Sequence, residues 1–122
     1  MSTMRSTLLV ALGGATGAAV RWSVGEIIGP TNGQFPWATF VVNVVGCALI
    51  GAAARQLDRR SDAWYGAVTG VLGGLTTFSA FAVETRALLV DGHATVAAAY
   101  VIASVIVGIA AVEIVRRPGV VT

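Results

Sequence analysis

Residues 73–81 read GGLTTFSAF, and they combine several groups that can handle an ion. Two glycines followed by hydroxyl residues disfavour a continuous helix, and a broken helix exposes carbonyls that suit a cation and amides that suit an anion. Phe78 and Phe81 are three residues apart and therefore share a helix face. The positive edge of an aromatic ring attracts an anion that has shed water, although such a pair is more often ordinary packing.

Asn43 is a second candidate, because it lies in the middle of an apolar run of valines. Helical spacing places it on the same face as Thr39 and Gly46. A primary amide in hydrocarbon must find hydrogen-bond partners. Two roles stay open for it: a hydrogen bond to a neighbouring helix, or a donor that lines a pore.

Further polar side chains lie in the later apolar segments. Glu84 is the only acid of the third segment past the GGLTTFSAF stretch, and its carboxylate either has a function or snorkels to the membrane interface. Tyr100, Ser104 and Gly108 are spaced by four and share one face of the last segment. The Ser104 hydroxyl either donates from that face or bonds back to a carbonyl one turn earlier.

The sequence shows no motif of an enzyme active site. Cys47 is the only cysteine and His93 the only histidine, and neither has a suitable partner nearby in the sequence. The sequence contains no metal-ligand spacing, phosphate loop or nucleophile elbow. We therefore expect that the protein is not an enzyme.

The elements that position these residues are predicted to lie in a membrane. Of the 122 residues, 56% are hydrophobic and 11% charged, and the mean hydropathy is +0.80. Soluble domains carry about 25% charged residues, so the composition predicts a small all-α integral membrane protein. A spanning helix needs about 20 apolar residues. We expect one domain over residues 1–122 with four transmembrane helices at about 6–24, 37–54, 63–90 (broken near 73–79) and 95–115.

Arginine counts predict the orientation of the chain. The N-terminus, the second loop and the C-terminus share one side of a four-span protein and hold six arginines, whereas the opposite side has at most Arg86. Positive residues favour the cytoplasm, so both termini are predicted to be cytoplasmic in a cell membrane. The scattered arginines form no basic stripe, and nucleic-acid binding is not indicated. The six are Arg5, Arg55, Arg59, Arg60, Arg116 and Arg117.

Three stretches together resemble the Fluc (CrcB) family of fluoride ion channels. They are GATGAAVR at residues 14–21, TFVVNVVGCALIG at residues 39–51 and GVLGGLTTFSAF at residues 70–81, the last being the most specific. The resemblance covers nearly the whole chain. The departures from residues that the family favours are Trp22, Ala38, Cys47 and Ala80.

The resemblance implies an antiparallel, dual-topology-type dimer with two fluoride pores along its interface. Phe78 and Phe81 would line each pore with their ring edges, and Asn43 would donate a hydrogen bond to fluoride. Passive export of the anion through such pores would lower cytoplasmic fluoride. The other residues that the resemblance places at or near the pore are Ser104, Thr39 and Tyr100.

The resemblance also implies a structural sodium ion at the centre of the dimer. The backbone carbonyls of Gly73 and Thr76, from both subunits, would hold it. Arg21 would lie near a vestibule, and Glu84 is assigned to a vestibule or a structural role. The arginine bias of the chain raises the hypothesis that it pairs with an oppositely oriented homologue rather than with itself.

Two alternative functions stay open. A small multidrug-type exporter also has four spans, but it needs a membrane-embedded acid in its first span, and residues 6–24 contain none. A non-transporting membrane assembly protein is the other alternative, and it gives no reason for a broken third helix.

Overall fold

The computed structural model describes residues 3–30 and 32–117, and this part of the chain is mostly helical. Four stretches in it are long and apolar enough to cross a membrane, and the third of these, Trp64–Val90, contains three helices. The predicted multi-pass, all-helical membrane architecture is confirmed. The helices are α1 (Thr3–Ile28), α2 (Trp37–Gln56), α3 (Trp64–Leu72), α4 (Gly73–Leu75), α5 (Phe78–Val90) and α6 (Ala94–Arg116).

Two of the helices, α1 and α5, end where a glycine allows the chain to turn. α1 runs past both ends of the predicted span, because a helix can continue beyond the hydrocarbon while its backbone bonds are made. It stops before Gly29, whose φ of 85° is left-handed and whose amide donates to the Gly25 carbonyl at 2.9 Å. Gly92, also at φ 85°, makes the tight connection between α5 and α6, and the next amide, that of His93, donates to the Leu88 carbonyl at 2.7 Å.

α3 is a π-helix, which the sequence did not predict. Helices with i→i+5 hydrogen bonds are rare and are frequent at functional sites. The amide of Gly73 donates to the carbonyls of both Val68 and Gly70, so the winding changes at this residue. The third span therefore changes from π-helix to α-helix at Gly73, the first residue of the GGLTTFSAF stretch. The first helical part of the span ends soon afterwards, at Leu75.

Glycines bring the helix backbones together. α1 packs on α3 and α4 so closely that a Cβ at Gly17 would overlap the Val71 carbonyl oxygen. α2 and α6 meet at Gly51, where a Cβ would lie 2.8 Å from the Val112 carbonyl oxygen. Helices in lipid associate through such close packing, because apolar side chains gain little by leaving the acyl chains.

The buried apolar side chains form two clusters. The first joins α2 to α3 and α4, and the second joins α5 to α6. Many large apolar side chains outside these clusters are exposed, which is expected of a surface that faces lipid or another chain. The buried residues are Val42, Val68, Leu72 and Leu75 in the first cluster and Leu88, Ala97 and Tyr100 in the second.

A pair of alanine substitutions in α1 tests the glycine contact. We expect Gly17→Ala to cost about 1–3 kcal/mol of unfolding free energy, because the added methyl meets backbone that cannot rotate away. Gly25→Ala is the matched control, since nothing lies within 4 Å of its Cβ position. Thermal unfolding of both variants in detergent measures the difference. Equal midpoints would show that the contact does not set the packing of α1.

Candidate functional site

The chain between α4 and α5 is extended, and one asparagine holds it. Thr76 has φ −83° and ψ 153°, and Thr77 has φ −150° and ψ 120°. Asn43 of α2 accepts a hydrogen bond from the Thr77 amide at Oδ1 (2.8 Å) and donates from Nδ2 to the Thr77 carbonyl (3.0 Å). One of the two roles considered for Asn43 was a hydrogen bond to a neighbouring helix. In the structure its side chain makes two hydrogen bonds, both to the backbone of Thr77 next to α5. We call this pair of bonds the Asn43 clamp.

Thr77 also begins the next helix. Its Oγ1 accepts a hydrogen bond from the Ala80 amide at 3.0 Å and lies 3.1 Å from Ser79 Oγ. A threonine that caps α5 in this way satisfies one of the first free amides of the helix. Thr77 was not among the predicted site residues, although a hydroxyl residue just before a helical run is a usual start signal.

These bonds leave two carbonyls without their helical donors. The amide of Thr77, which would pair with the Gly73 carbonyl in a continuous α-helix, is bound to Asn43 instead. The amide of Ala80, the helical partner of the Thr76 carbonyl, is bound to Thr77 Oγ1. Gly73 is exposed on the surface of the bundle. Both carbonyls are thus available to a ligand, at the end of a helical segment where the backbone dipole favours a cation.

The carbonyl oxygens at this position are ligands that suit a hard monovalent cation. Carbonyl oxygens at the C-terminal ends of interrupted helices are typical sodium ligands in membrane proteins. Residues 3–30 and 32–117 contain no group of three or more His, Cys, Asp or Glu side chains that could hold a metal ion. The carbonyls of Gly73 and Thr76 stay the predicted ligands of a cation.

A groove runs beside the two extended residues Thr76 and Thr77, which we call the extended pair. It brings together four of the six residues that were predicted to lie at the pore. Its volume is about 410 Å³. Asn43 and Ser104 supply polar groups to it, while Phe78 and Phe81 form an aromatic wall with ring centroids 5.7 Å apart. Phe78 is 80% exposed, so the groove is open on that side. Its lining also includes Gly46, Cys47, Ile50, Leu72, Thr76, Thr77 and Val105.

Ser104 has an unused hydroxyl. Its Oγ is buried and makes no hydrogen bond within the described ranges. The bond back to a carbonyl one turn earlier, which the sequence allowed, is therefore not made, in contrast to Thr85, whose Oγ1 donates to the Phe81 carbonyl at 2.8 Å. A buried hydroxyl without a partner costs about 1–3 kcal/mol, so Ser104 is suited to a partner that enters the groove.

Thr39, Glu84 and Tyr100 form a separate group behind the aromatic wall. Thr39 Oγ1 donates to Glu84 Oε1 at 2.6 Å, so this carboxylate binds a neighbouring helix and does not extend freely to the interface. The Tyr100 ring is fully buried and packs on Phe81 at 5.1 Å between centroids. Thr39 and Tyr100 are absent from the groove lining, so they support its wall from behind.

Arg21 lies at a second cavity of about 490 Å³. Its Nε donates to the Gly74 carbonyl at 3.2 Å, which ties α1 to the end of α4. Thr39 and Thr77 also line this cavity, and Thr77 is common to both cavities. Glu26 also lines this cavity, so the cavity holds both a basic and an acidic side chain. The place of Arg21 near a vestibule stays a prediction.

The fold and the site define a class: a multi-pass membrane protein with an interrupted helix, built to handle a small ion. Residues 8–115 match the family model described as CrcB-like protein, Camphor Resistance (CrcB). The chain belongs to the CrcB family.

Three relatives show the extent of the similarity. The chain is 44% identical over 117 residues to the fluoride-specific ion channel FluC of Rhizobium leguminosarum bv. trifolii (strain WSM2304), which covers 89% of this chain and 91% of that protein. It is 40% identical over 112 residues to FluC of Methylobacillus flagellatus, with 87% and 88% covered. It is 44% identical over 110 residues to FluC 1 of Streptomyces coelicolor, with 85% and 70% covered.

Truncation of Asn43 tests the clamp. We expect Asn43→Ala to lower the unfolding free energy by about 1–3 kcal/mol, because both backbone groups of Thr77 lose their partner. Denaturant unfolding in detergent measures this, and hydrogen exchange at the Thr77 amide reports it locally. The control is Thr16→Ala, which removes an exposed hydroxyl that bonds only within its own helix. An Asn43→Ala protein as stable as the control would contradict the clamp.

Proposed function

We propose that the protein is a fluoride-selective channel that lowers cytoplasmic fluoride by passive export of the anion. The relatives named above carry the name fluoride-specific ion channel over nearly the same length of chain. The observation that carries the proposal is the groove in which an amide, an unused hydroxyl and two aromatic rings meet beside an extended segment. No ATP or proton coupling is needed for such export.

The groove offers what a dehydrated fluoride ion needs. Fluoride is small and strongly hydrated, so a selective path must replace its water with closely placed donors. The amide of Asn43 has two N–H groups, one of which is used by the Thr77 carbonyl, so the other is left for an ion. Ser104 supplies a hydroxyl, and the edges of Phe78 and Phe81 supply weak positive potential.

The open side of the groove supports assembly as a dimer. With Phe78 80% exposed, one subunit encloses only part of the ion path. A second subunit in the opposite orientation, either this chain or a homologue, closes the groove in the proposed channel and creates two pores along the interface. The six arginines at one end favour a single orientation with cytoplasmic termini, which in turn favours the homologue.

A central sodium ion completes the proposal. The carbonyls of Gly73 and Thr76 are free of helical bonds and lie near the exposed surface, so two subunits together would offer four neutral oxygens. A bound sodium ion would supply a fixed positive charge at the interface. The neighbouring Gly74 carbonyl accepts a hydrogen bond from Arg21, so we do not count it among the proposed sodium ligands.

Efflux from liposomes tests the anion path. We expect fluoride efflux without matching chloride efflux, and Phe78→Ile or Phe81→Ile should slow it about tenfold or more, the effect of losing about 1.4 kcal/mol of stabilisation. Val83→Ile is the control, because this exposed residue lies on α5 outside the groove lining. Unchanged fluoride efflux in both Phe variants would remove these rings from the path.

The same liposomes distinguish the two kinds of dimer. Efflux from the chain alone would show that it pairs with itself despite its arginine bias. Efflux only after co-reconstitution with an oppositely biased homologue would show a pair of different chains. A folded protein that is silent in both preparations would contradict the channel itself.

Replacement of sodium tests the cation site separately. We expect the thermal midpoint of the dimer to fall when sodium is replaced by potassium at equal ionic strength, since a ligand at 100 times its Kd stabilises by about 2.7 kcal/mol. Differential scanning fluorimetry in detergent measures it without any flux. Identical midpoints in the two salts would rule out a selective sodium site at these carbonyls.

A further inference from the structure

One end of the helical bundle carries most of the positive charge of the protein. Arg5 is bound to Asp62 at 2.6 Å, and Arg55 Nη1 lies 3.4 Å from the Val115 carbonyl, so the ends of α1, α2 and α6 and the start of α3 lie together. Six of the eight arginines belong to this end, together with three acids. They leave an excess of three formal positive charges. The acids are Asp58, Asp62 and Glu113.

Three of these arginines come together where α2 and α6 end. The helices are in backbone contact at Gly51, one turn before Arg55. Arg116 makes two bonds to Glu113, at 2.9 and 3.0 Å, and Arg117 is the next residue. Arg55, Arg116 and Arg117 are all exposed, and we call them the arginine triplet.

The local acid cannot neutralise the arginine triplet. Glu113 is the acid bound within it, and both of its oxygens are engaged by Arg116. The planar guanidinium groups that remain match the oxygens of a phosphate, which they can bind in bidentate fashion. A phosphodiester or phosphomonoester group is therefore the ligand that this cluster fits by charge and by shape.

The position of the triplet identifies the source of the phosphate. α2 and α6 have 20 and 23 residues and qualify as membrane spans, so their last turns lie at the depth of the lipid headgroups. We propose that the arginine triplet is a binding site for the headgroup of an anionic phospholipid. Basic residues at this depth attract anionic lipids over zwitterionic ones.

Lipid titration of the purified full-length protein in detergent tests the site, with thermal stabilisation as the readout. We expect phosphatidylglycerol to stabilise the protein and phosphatidylcholine to have little effect. The double variant Arg55→Gln/Arg117→Gln should bind phosphatidylglycerol about 30-fold more weakly, since each surface arginine contributes a factor of about five. Arg86→Gln is the matched control, because it removes one exposed arginine at the other end.

A third variant and a comparison with soluble phosphates complete the test of the lipid site. Glu113→Gln frees Arg116 and should tighten binding, and it keeps the test valid if the double variant does not fold. Stabilisation that is equal in the protein, the double variant and Glu113→Gln would overturn the proposal. Equal stabilisation by inorganic phosphate or glycerol phosphate would assign the triplet to a soluble anion and would also overturn it.

Discussion

The two hydrogen bonds between the Asn43 side chain and the Thr77 backbone are the constraint on which the site depends. A stretch of extended backbone within an apolar span must have partners for its amide and carbonyl, because the surroundings offer no water. Asn43 supplies both partners from one side chain. By occupying the Thr77 amide it also prevents the Gly73 carbonyl from closing a helical turn. The extended backbone at Thr77 and the free Gly73 carbonyl therefore have one common cause.

Glycine packing connects this constraint to the rest of the bundle. Because α1 lies in backbone contact with α3 and α4, Arg21 can reach the Gly74 carbonyl from a neighbouring helix. The same closeness keeps the extended pair between α1 and α2, where Thr77 borders both cavities. A larger residue at Gly17 or Gly74 would separate the helices and move the guanidinium away from the interruption. The fold and the site are thus maintained by the same contacts.

The sequence predicted the four apolar segments well, because hydrocarbon thickness leaves little freedom in their length. It also predicted a break near 73–79 from glycines and hydroxyl residues, which are local signals, and Thr76 and Thr77 in that range have extended backbone. It could not predict which backbone groups Asn43 contacts, because they belong to a residue 34 positions away. The bond from Thr39 to Glu84 joins residues 45 apart and was missed for the same reason. Helical spacing even grouped Thr39 with Asn43, whereas only Asn43 lines the groove.

Two features of the site, the open side of the groove and the carbonyl without a donor, lie next to the same interruption of the third span. Phe78 leaves the groove open, and Gly73, at the end of the preceding helical segment, exposes a carbonyl without a donor. In the proposed channel one of these features receives an anion and the other a cation, because a helix that stops and restarts presents its negative end and then its positive end. A single apposed surface can complete both at once. The Ser104 hydroxyl is buried without a partner, and in the proposed channel an occupant of the groove would supply one. In the proposed channel, the isolated chain is therefore one part of a larger ion path.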